Sequence, residues 1–279
     1  MNIDQPTKTN TAFTAKFWGV RGQVPTPGRD TYRFGGNTPC LEINAGDQRL
    51  IFDGGTGLRM LGNALLRQMP VEAHLFFTHA NWDRIQGFPF FVPAFIPGNH
   101  FHIHGTETHE GKTFEDKLSK QMHGPNFPVP IQVMGAKLEF HPLEAGDELM
   151  IDAATVKSAL VHAKHQALGF RISYGDAVLV YATDSDLQEK DNRNALRELA
   201  YGADFLVLNT PVSRHHHHDM QQWQPLLEFS KEILVKHLLF STHDPNCRDP
   251  DLETLEATLQ EHHHHLHFAK EGELLTISA

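Results

Sequence analysis

Short apolar runs bounded by turn residues fill the first third of the chain, and this pattern predicts β-strands. The predicted strands of this part cover residues 13–19, 40–45, 49–53 and 73–78. Leucines at positions 58, 61, 65 and 66 can share one face of a helix, so a helix is predicted over 58–67. A further helix or turn is expected at 84–91.

A second series of strand patterns begins at residue 137 and alternates with helical patterns towards the C-terminus. The predicted strands are 137–141, 148–151, 155–160, 169–174, 177–182, 205–208, 237–241 and 274–277. The predicted helices are 192–202, 222–236 and 249–262. Periodicity alone therefore indicates a mixed α and β chain. Because no linker divides it, residues 1–279 are predicted to form one domain.

Residues 92–130 interrupt the two series of strands. The segment contains one predicted helix, at 112–122, and is punctuated by Pro93, Pro97, Pro125, Pro128 and Pro130. Long irregular segments in compact domains often cover a functional site. We therefore expect a lid-like excursion at 92–130.

Composition and charge limit the class of protein. Of the 279 residues, 40% are hydrophobic and 21% are charged, which is typical of a globular chain. The formal net charge of −10 disfavours binding to nucleic acid or to an anionic membrane. Cys40 and Cys247 are the only cysteines, and no run of 18 apolar residues is present, so we expect a cytoplasmic protein.

Histidine is abundant, with 21 residues, and eight of them form two internal runs, His215–His218 and His262–His265. Our interpretation is that both runs are solvated and bind Ni²⁺, Cu²⁺ or Zn²⁺ only at high concentration. Metal storage, pH sensing and a replacement ligand from the first run remain open alternatives.

Several motifs appear in a fixed order along nearly the whole chain. The motifs are FWGVRG at 17–22, PTPG at 25–28, GGNT at 35–38, LIFDGGTG at 50–57, the segment 77–89, QM at 121–122, FPVP at 127–130, YATD at 181–184 and HDP at 243–245. Together they resemble the phosphodiesterase-like branch of the metallo-β-lactamase superfamily. The resemblance implies an α+β or α/β fold, a four-layer αββα sandwich.

The same resemblance implies a binuclear zinc site, but the motif T-H-x-H-x-D-H is altered here. His79 and Asp83 are present, whereas Asn81 and Arg84 occupy the positions of two histidine ligands. Further along the chain, His162 matches a later ligand and Asp184 the bridging carboxylate. The last ligand position falls on Thr242 or His243, and the sequence leaves this choice open.

We interpret these substitutions as loss of the binuclear site. A guanidinium about 4 Å from a dication would be repelled by roughly 8 kcal/mol at an effective dielectric constant of 20. We therefore expect Arg84 to take the place of the second metal, between Asp83 and Asp184. The cofactor expected is none or one weakly bound divalent ion (Zn, Mn or Mg), with the Asn81 amide as a further oxygen ligand, and not a full binuclear zinc centre.

Four further residues are expected near the pocket by resemblance. Asp53 would orient the metal loop through hydrogen bonds. Arg21 and Asn37 lie in loops that the resemblance directs towards the pocket, where they could bind phosphate, but surface or turn roles are equally open. Asn209 stands where relatives often carry an acidic residue.

Two functions follow from this set. The first is a non-catalytic or weakly active relative that binds a small anionic ligand or a partner. The alternative is a single-metal hydrolase of small, cyclic nucleotide-like phosphodiesters, in which Asp83 or Asp184 directs the proton of the attacking water. We expect no nucleic-acid or membrane partner, and a homodimer remains open.

Overall fold

The computed structural model describes residues 12–107, 111–125, 127–210, 220–261 and 263–277. Within these ranges the strands form two sheets of seven strands each. In spatial order, the first sheet contains β14 (Leu274–Thr276), β1 (Phe13–Gly19), β2 (Cys40–Ala45), β3 (Gln48–Phe52), β4 (Glu72–Phe76), β5 (His100–Gly105) and β6 (Lys137–Pro142). The second contains β13 (Leu266–Phe268), β12 (His237–Ser241), β11 (Phe205–Asn209), β10 (Ala177–Ala182), β9 (Ala167–Tyr174), β8 (Ala154–His162) and β7 (Glu148–Ile151).

Helices cover the outer faces of both sheets. They are α1 (Thr56–Leu65), α2 (Trp82–Ile85), α3 (Phe114–Gln121), α4 (Lys190–Ala200), α5 (Met220–Glu232) and α6 (Asp249–Gln260). Leu61 of α1 and Leu118 of α3 pack in one core with Leu75 of β4. Leu196 of α4 and Leu252 of α6 pack in another with Leu206 of β11. This arrangement confirms the predicted αββα sandwich.

The two sheets meet in an apolar core built by alternation along their strands. Phe52 of β3 stacks on Phe76 of β4, with ring centroids 5.2 Å apart. Phe170 of β9 and Tyr181 of β10 contact Phe52 from the opposite sheet. These rings lie directly beneath the ends of the strands that bring the candidate site together. Among the described residues, no helix is both long enough and apolar enough to cross a membrane.

The structure corrects the sequence prediction between residues 92 and 130. Strand β5 lies within this range and pairs in parallel with β4 and β6, so part of the expected excursion belongs to the sheet. Its sequence, HFHIHG, was not recognised because polar histidines occupy every second position. Strand β13 was also missed. Helix α3 lies within the predicted helix, and a lid function for residues 106–130 stays a prediction.

Candidate metal centre

The loop after β4 is oriented by Asp53, which follows β3 and has a positive φ of 62°. Its Oδ1 accepts hydrogen bonds from the backbone N and the Oγ1 of Thr78, at 2.9 and 2.8 Å. Because the Thr78 hydroxyl donates to a carboxylate, it accepts from Nδ1–H of His79, 2.9 Å away. This arrangement leaves the lone pair of His79 on Nε2, the form that binds metals.

Arg84 of α2 is buried, with only 3% of its surface exposed. Its Nη1 donates to Oδ2 of Asp53 and to Oγ1 of Thr183, both at 2.7 Å. Its Nη2 donates to the Thr183 carbonyl at 3.2 Å, and Tyr181 donates to the same Asp53 oxygen at 3.0 Å. Burial opposes the charged guanidinium, but Asp53, Tyr181 and the other nearby acidic groups outweigh it and raise the pKa of Arg84. Arg84 is therefore a fixed internal cation.

The partners of Arg84 correct one expectation. Its Nε lies 3.3 Å from Oδ2 of Asp83, as expected, but its ion pair is with Asp53 and not with Asp184. Oδ2 of Asp83 also accepts a hydrogen bond from the backbone N of Gln23 at 3.2 Å. Asp83 thus faces a cation, and it belongs to none of the groups of three close potential metal ligands among the described residues.

Three potential metal ligands come together near the ends of β8 and β10 and the start of β9. His162 ends β8, His165 lies in the turn before β9, and Asp184 follows β10. One ligand atom from each lies within 4.8 Å of the other two. Nδ1 of His165 is 3.0 Å from Oδ2 of Asp184, and the two imidazole rings stack with centroids 3.9 Å apart. The same Asp184 oxygen lies 3.7 Å from Nε2 of His79.

Two or three imidazoles and a carboxylate are ligands typical of zinc and related ions. His162, His165 and Asp184 could therefore hold a divalent ion. Arg84 places a positive charge beside Asp83, which disfavours a metal ion there. Asn81 is exposed at the start of α2, and its side chain does not cap that helix. His165 was missed in the sequence because the resemblance has no ligand at its position. The spacing His162-x-x-His165 in a short turn was the available signal.

The structure corrects the assignment of His243 as a metal ligand. The ring is fully buried, its Nδ1 is 2.9 Å from Oγ1 of Thr210, and its Nε2 is 2.8 Å from the Ala269 carbonyl. Burial lowers the pKa of His243 to about 3. Both nitrogens are used within the fold, so His243 has a structural role. Thr242, the alternative, has a positive φ of 53° and a buried hydroxyl with no hydrogen-bond partner in the described part of the chain.

For Arg21 and Asn37 the contacts favour a structural role over phosphate binding. Arg21 is fully buried and donates from Nε to the Gly35 carbonyl and from Nη1 to the Cys247 carbonyl, both at 2.7 Å. It therefore joins loops and does not face a ligand pocket. Asn37 donates to Oε1 of Glu271 at 2.6 Å, beside a surface pocket of about 570 Å³ that Glu271 also lines. Arg59 also lines that pocket, but the Asn37 amide is paired with the Glu271 carboxylate.

Asn209 contacts the backbone beside the candidate ligand Asp184. Its Oδ1 accepts a hydrogen bond from the backbone N of Ser185 at 3.3 Å, so it supports the residue that follows Asp184. Of the histidine runs, residues 215–218 and 262 lie outside the described residues. His263–His265 line a surface pocket between α5 and β13.

Comparison with known proteins supports the fold. The chain resembles three crystal structures: PqqB from Methylobacterium extorquens in a Zn²⁺-bound form, with a TM-score of 0.70; YhfI from Bacillus subtilis, a metallo-beta-lactamase fold protein, with 0.67; and a diphosphatase from the PhnP family, with 0.66. Identities are 13%, 14% and 15% in that order. Each match covers 95% of this chain and 98% or more of the other.

At this level of identity the likeness establishes the fold alone. None of the curated proteins compared with the chain matches it. The family model described as the beta-lactamase superfamily domain matches residues 48–272. This range includes His79, His162, His165 and Asp184 of the candidate centre. The chain therefore belongs to the beta-lactamase superfamily.

Proposed function

We propose that this chain binds a small anionic ligand at a site reduced from two metal ions to one, and that it hydrolyses phosphodiesters slowly or not at all. The observation that supports this proposal is the buried guanidinium of Arg84, fixed between Asp53, Thr183 and Asp83. A second dication about 4 Å from it would be repelled by roughly 8 kcal/mol at an effective dielectric constant of 20.

The residues that would hold the remaining ion are His162, His165 and Asp184, with His79 beside them. When bound, such an ion acts as a Lewis acid that polarises an oxygen of an anionic ligand. The side chains fix the rest of the site. Thr78 sets the tautomer of His79, and Asn209 supports the backbone after Asp184. Without a second metal ion, and with the Arg84 guanidinium buried and paired with Asp53, the charge on a departing alkoxide has little stabilisation, so we expect slow hydrolysis.

A second candidate function is a single-metal hydrolase of small phosphodiesters. Asp184 favours it, because a quarter of its side chain is accessible and its Oδ2 lies near both His79 and His165. Asp184 could accept the proton of an attacking water and pass it to an imidazole. One structural neighbour is a diphosphatase, which suggests phosphate esters as test substrates.

Metal content and turnover separate the two candidates. The protein is prepared with His215–His218 and His262–His265 replaced by asparagine, loaded with Zn²⁺ or Mn²⁺, and assayed with bis(p-nitrophenyl) phosphate. We expect one equivalent of metal at the candidate centre and turnover barely above the metal-free protein. Robust turnover that Asp184→Asn abolishes and the neighbouring Asp186→Asn leaves intact would establish the hydrolase instead.

Restoring the lost histidines tests the role of Arg84 directly. In the same background, the double variant Asn81→His/Arg84→His removes the fixed cation and supplies two imidazoles. We expect its metal content to rise by about one equivalent, because the candidate centre would then hold two ions. An unchanged metal content in a folded double variant would contradict the proposal that Arg84 replaced a metal ion.

A further inference from the structure

A second group of histidines lies away from the candidate centre, across the neighbouring strands β4, β5 and β6. Every second residue of β5 is a histidine, so His100, His102 and His104 project from the same face. In the parallel register, His102 pairs with Glu139 of β6, and His104 pairs with His141. Glu72 and His74 of β4 pair with His100 and His102 on the other side.

This face continues the interior surface of the first sheet beyond its apolar core. Phe76 belongs to the core between the sheets, and the ring of His104 stacks on it with centroids 4.4 Å apart. Among the described residues, that core includes no side chain from β5 or β6. The histidine-rich half of the sheet is therefore partly open to solvent, and an ion could reach it.

The distances on this face match those of a tetrahedral metal site. Metal–ligand bonds of about 2.0–2.1 Å place neighbouring ligand atoms about 3.3–3.4 Å apart. Nδ1 of His102 lies 3.2 Å from Oε2 of Glu139 and 3.3 Å from Nε2 of His141. One atom from each of these three residues lies within 4.8 Å of the others.

The surrounding rings hold the ligands in place before any ion binds. His74 stacks on His102 with centroids 4.4 Å apart, and His104 stacks on His141 at 4.9 Å. Nδ1 of His74 is 3.0 Å from Nε2 of His104, while Nδ1 of His104 is buried without a hydrogen-bond partner. Ordered rings reduce the entropy lost on binding.

Glu72 and His100 form a second possible group of ligands with His102. Oε1 of Glu72 lies 3.2 Å from Nε2 of His102 and 3.4 Å from Nδ1 of His100. A neutral imidazole has one lone pair, so His102 can serve only one of the two groups. Glu72 is 66% exposed and Glu139 only 35%, so fixing Glu139 loses less side-chain entropy. Lys137 pairs with Oε1 of Glu139, whereas Oε2, the oxygen that faces His102, also lies 3.0 Å from Nε2 of His100, a contact that metal binding would replace.

We propose that His102, Glu139 and His141 form a binding site for one divalent transition ion, separate from the candidate centre. Imidazole with carboxylate favours ions of the Zn²⁺, Cu²⁺ and Ni²⁺ class over Mg²⁺ or Ca²⁺. Three protein ligands leave at least one position for water or a further ligand.

The test counts bound Zn²⁺ by equilibrium dialysis and elemental analysis of the full-length protein. Residues 215–218 and 262–265 are first changed to asparagine, which removes the two histidine runs. In this background His141→Gln and Glu139→Gln should each lower the bound zinc by one equivalent. His267→Gln is the matched control, because His267 also pairs with a glutamate, Glu273 at 3.1 Å, but belongs to no group of three ligands. It should retain the full zinc content.

Two further measurements distinguish loss of the metal site from loss of folding. Urea unfolding in EDTA shows whether each variant is folded, and added Zn²⁺ should raise the melting temperature of the background protein more than that of Glu139→Gln. The variant Glu72→Gln should keep its zinc. If Glu72→Gln loses one equivalent and Glu139→Gln does not, the ligand assignment is wrong. If folded His141→Gln and His102→Gln variants both keep the background zinc content, no metal site exists on this face.

Discussion

The buried ion pair between Arg84 and Asp53 leads to the sharpest prediction. Replacing Arg84 by methionine keeps an unbranched side chain out to the ε position and removes the charged guanidinium. The carboxylate of Asp53, which is only 1% exposed, then loses its cation. Breaking a buried pair by removing one partner typically destabilises a protein by about 3–5 kcal/mol. Asp53 keeps hydrogen bonds from Thr78 and Tyr181, so we expect a loss near 3 kcal/mol.

A double-mutant cycle isolates the pair from other effects. Asp53 has a positive φ, and asparagine tolerates that conformation, so Asp53→Asn removes charge with little backbone strain. The double variant Arg84→Met/Asp53→Asn contains no unpaired buried charge. It should be more stable than the sum of the single effects predicts, by about 1–3 kcal/mol.

The assay is urea unfolding followed by circular dichroism, in EDTA so that metal binding does not contribute to stability. Lys236→Met is the control, since it breaks an ion pair with Asp204 at the surface, where 69% of the lysine side chain is exposed. That pair should contribute less than about 1 kcal/mol. A loss for Arg84→Met no larger than that of the control, or a coupling energy near zero, would refute the assignment of Arg84 as the internal cation of the site.

Three further predictions concern other parts of the molecule. His165→Gln should lower the metal affinity of the candidate centre at least tenfold in zinc titrations, because it removes one of its imidazoles; unchanged affinity would exclude His165 as a ligand. Gly87→Ala should destabilise the chain by about 1–3 kcal/mol in urea unfolding, since its Cβ would lie 1.9 Å from the Gly55 carbonyl oxygen, whereas Gly28→Ala meets no atom within 4 Å and should be nearly neutral. His243 has a pKa of about 3 in the fold against 6.5 in the unfolded chain. The unfolded state therefore binds more protons below pH 6.5, and the stability present above that pH is lost as pH falls towards 3. His243→Asn should flatten this pH dependence by up to one proton, and an identical slope in both proteins would show that His243 titrates normally.

Local patterns in the sequence were sufficient for most of the fold. Strands such as β1, β2 and β10 are apolar runs that end at turn residues, so their positions follow from burial alone. Strand β5 escaped prediction because its alternating residues are histidines that pack on one another and not on the second sheet. Its identity as a strand depends on neighbours that come from β4 and β6.

In the candidate centre, too, the sequence indicated some of the residues and only the structure showed the contacts of others. The order of the motifs identified the family and indicated His79, His162 and Asp184, because each follows a predicted strand at its end. It could not show that His243 turns inwards to Thr210 and Ala269, or that Arg21 is buried among loop carbonyls. Those contacts join residues more than 25 positions apart, and no local pattern encodes them.

The sequence by itself determined the family and the layered fold, and it places Asn81 and Arg84 where the motif of the resembling family has histidines. Only the tertiary structure decided which carboxylate neutralises Arg84, that His165 joins His162 and Asp184, and that histidines of three strands form one face. The physical reason is the separation along the chain over which each kind of information acts. Periodicity and turn chemistry act over a few residues, whereas ion pairs and metal ligands depend on distances of about 2–4 Å between side chains that only the folded chain brings together.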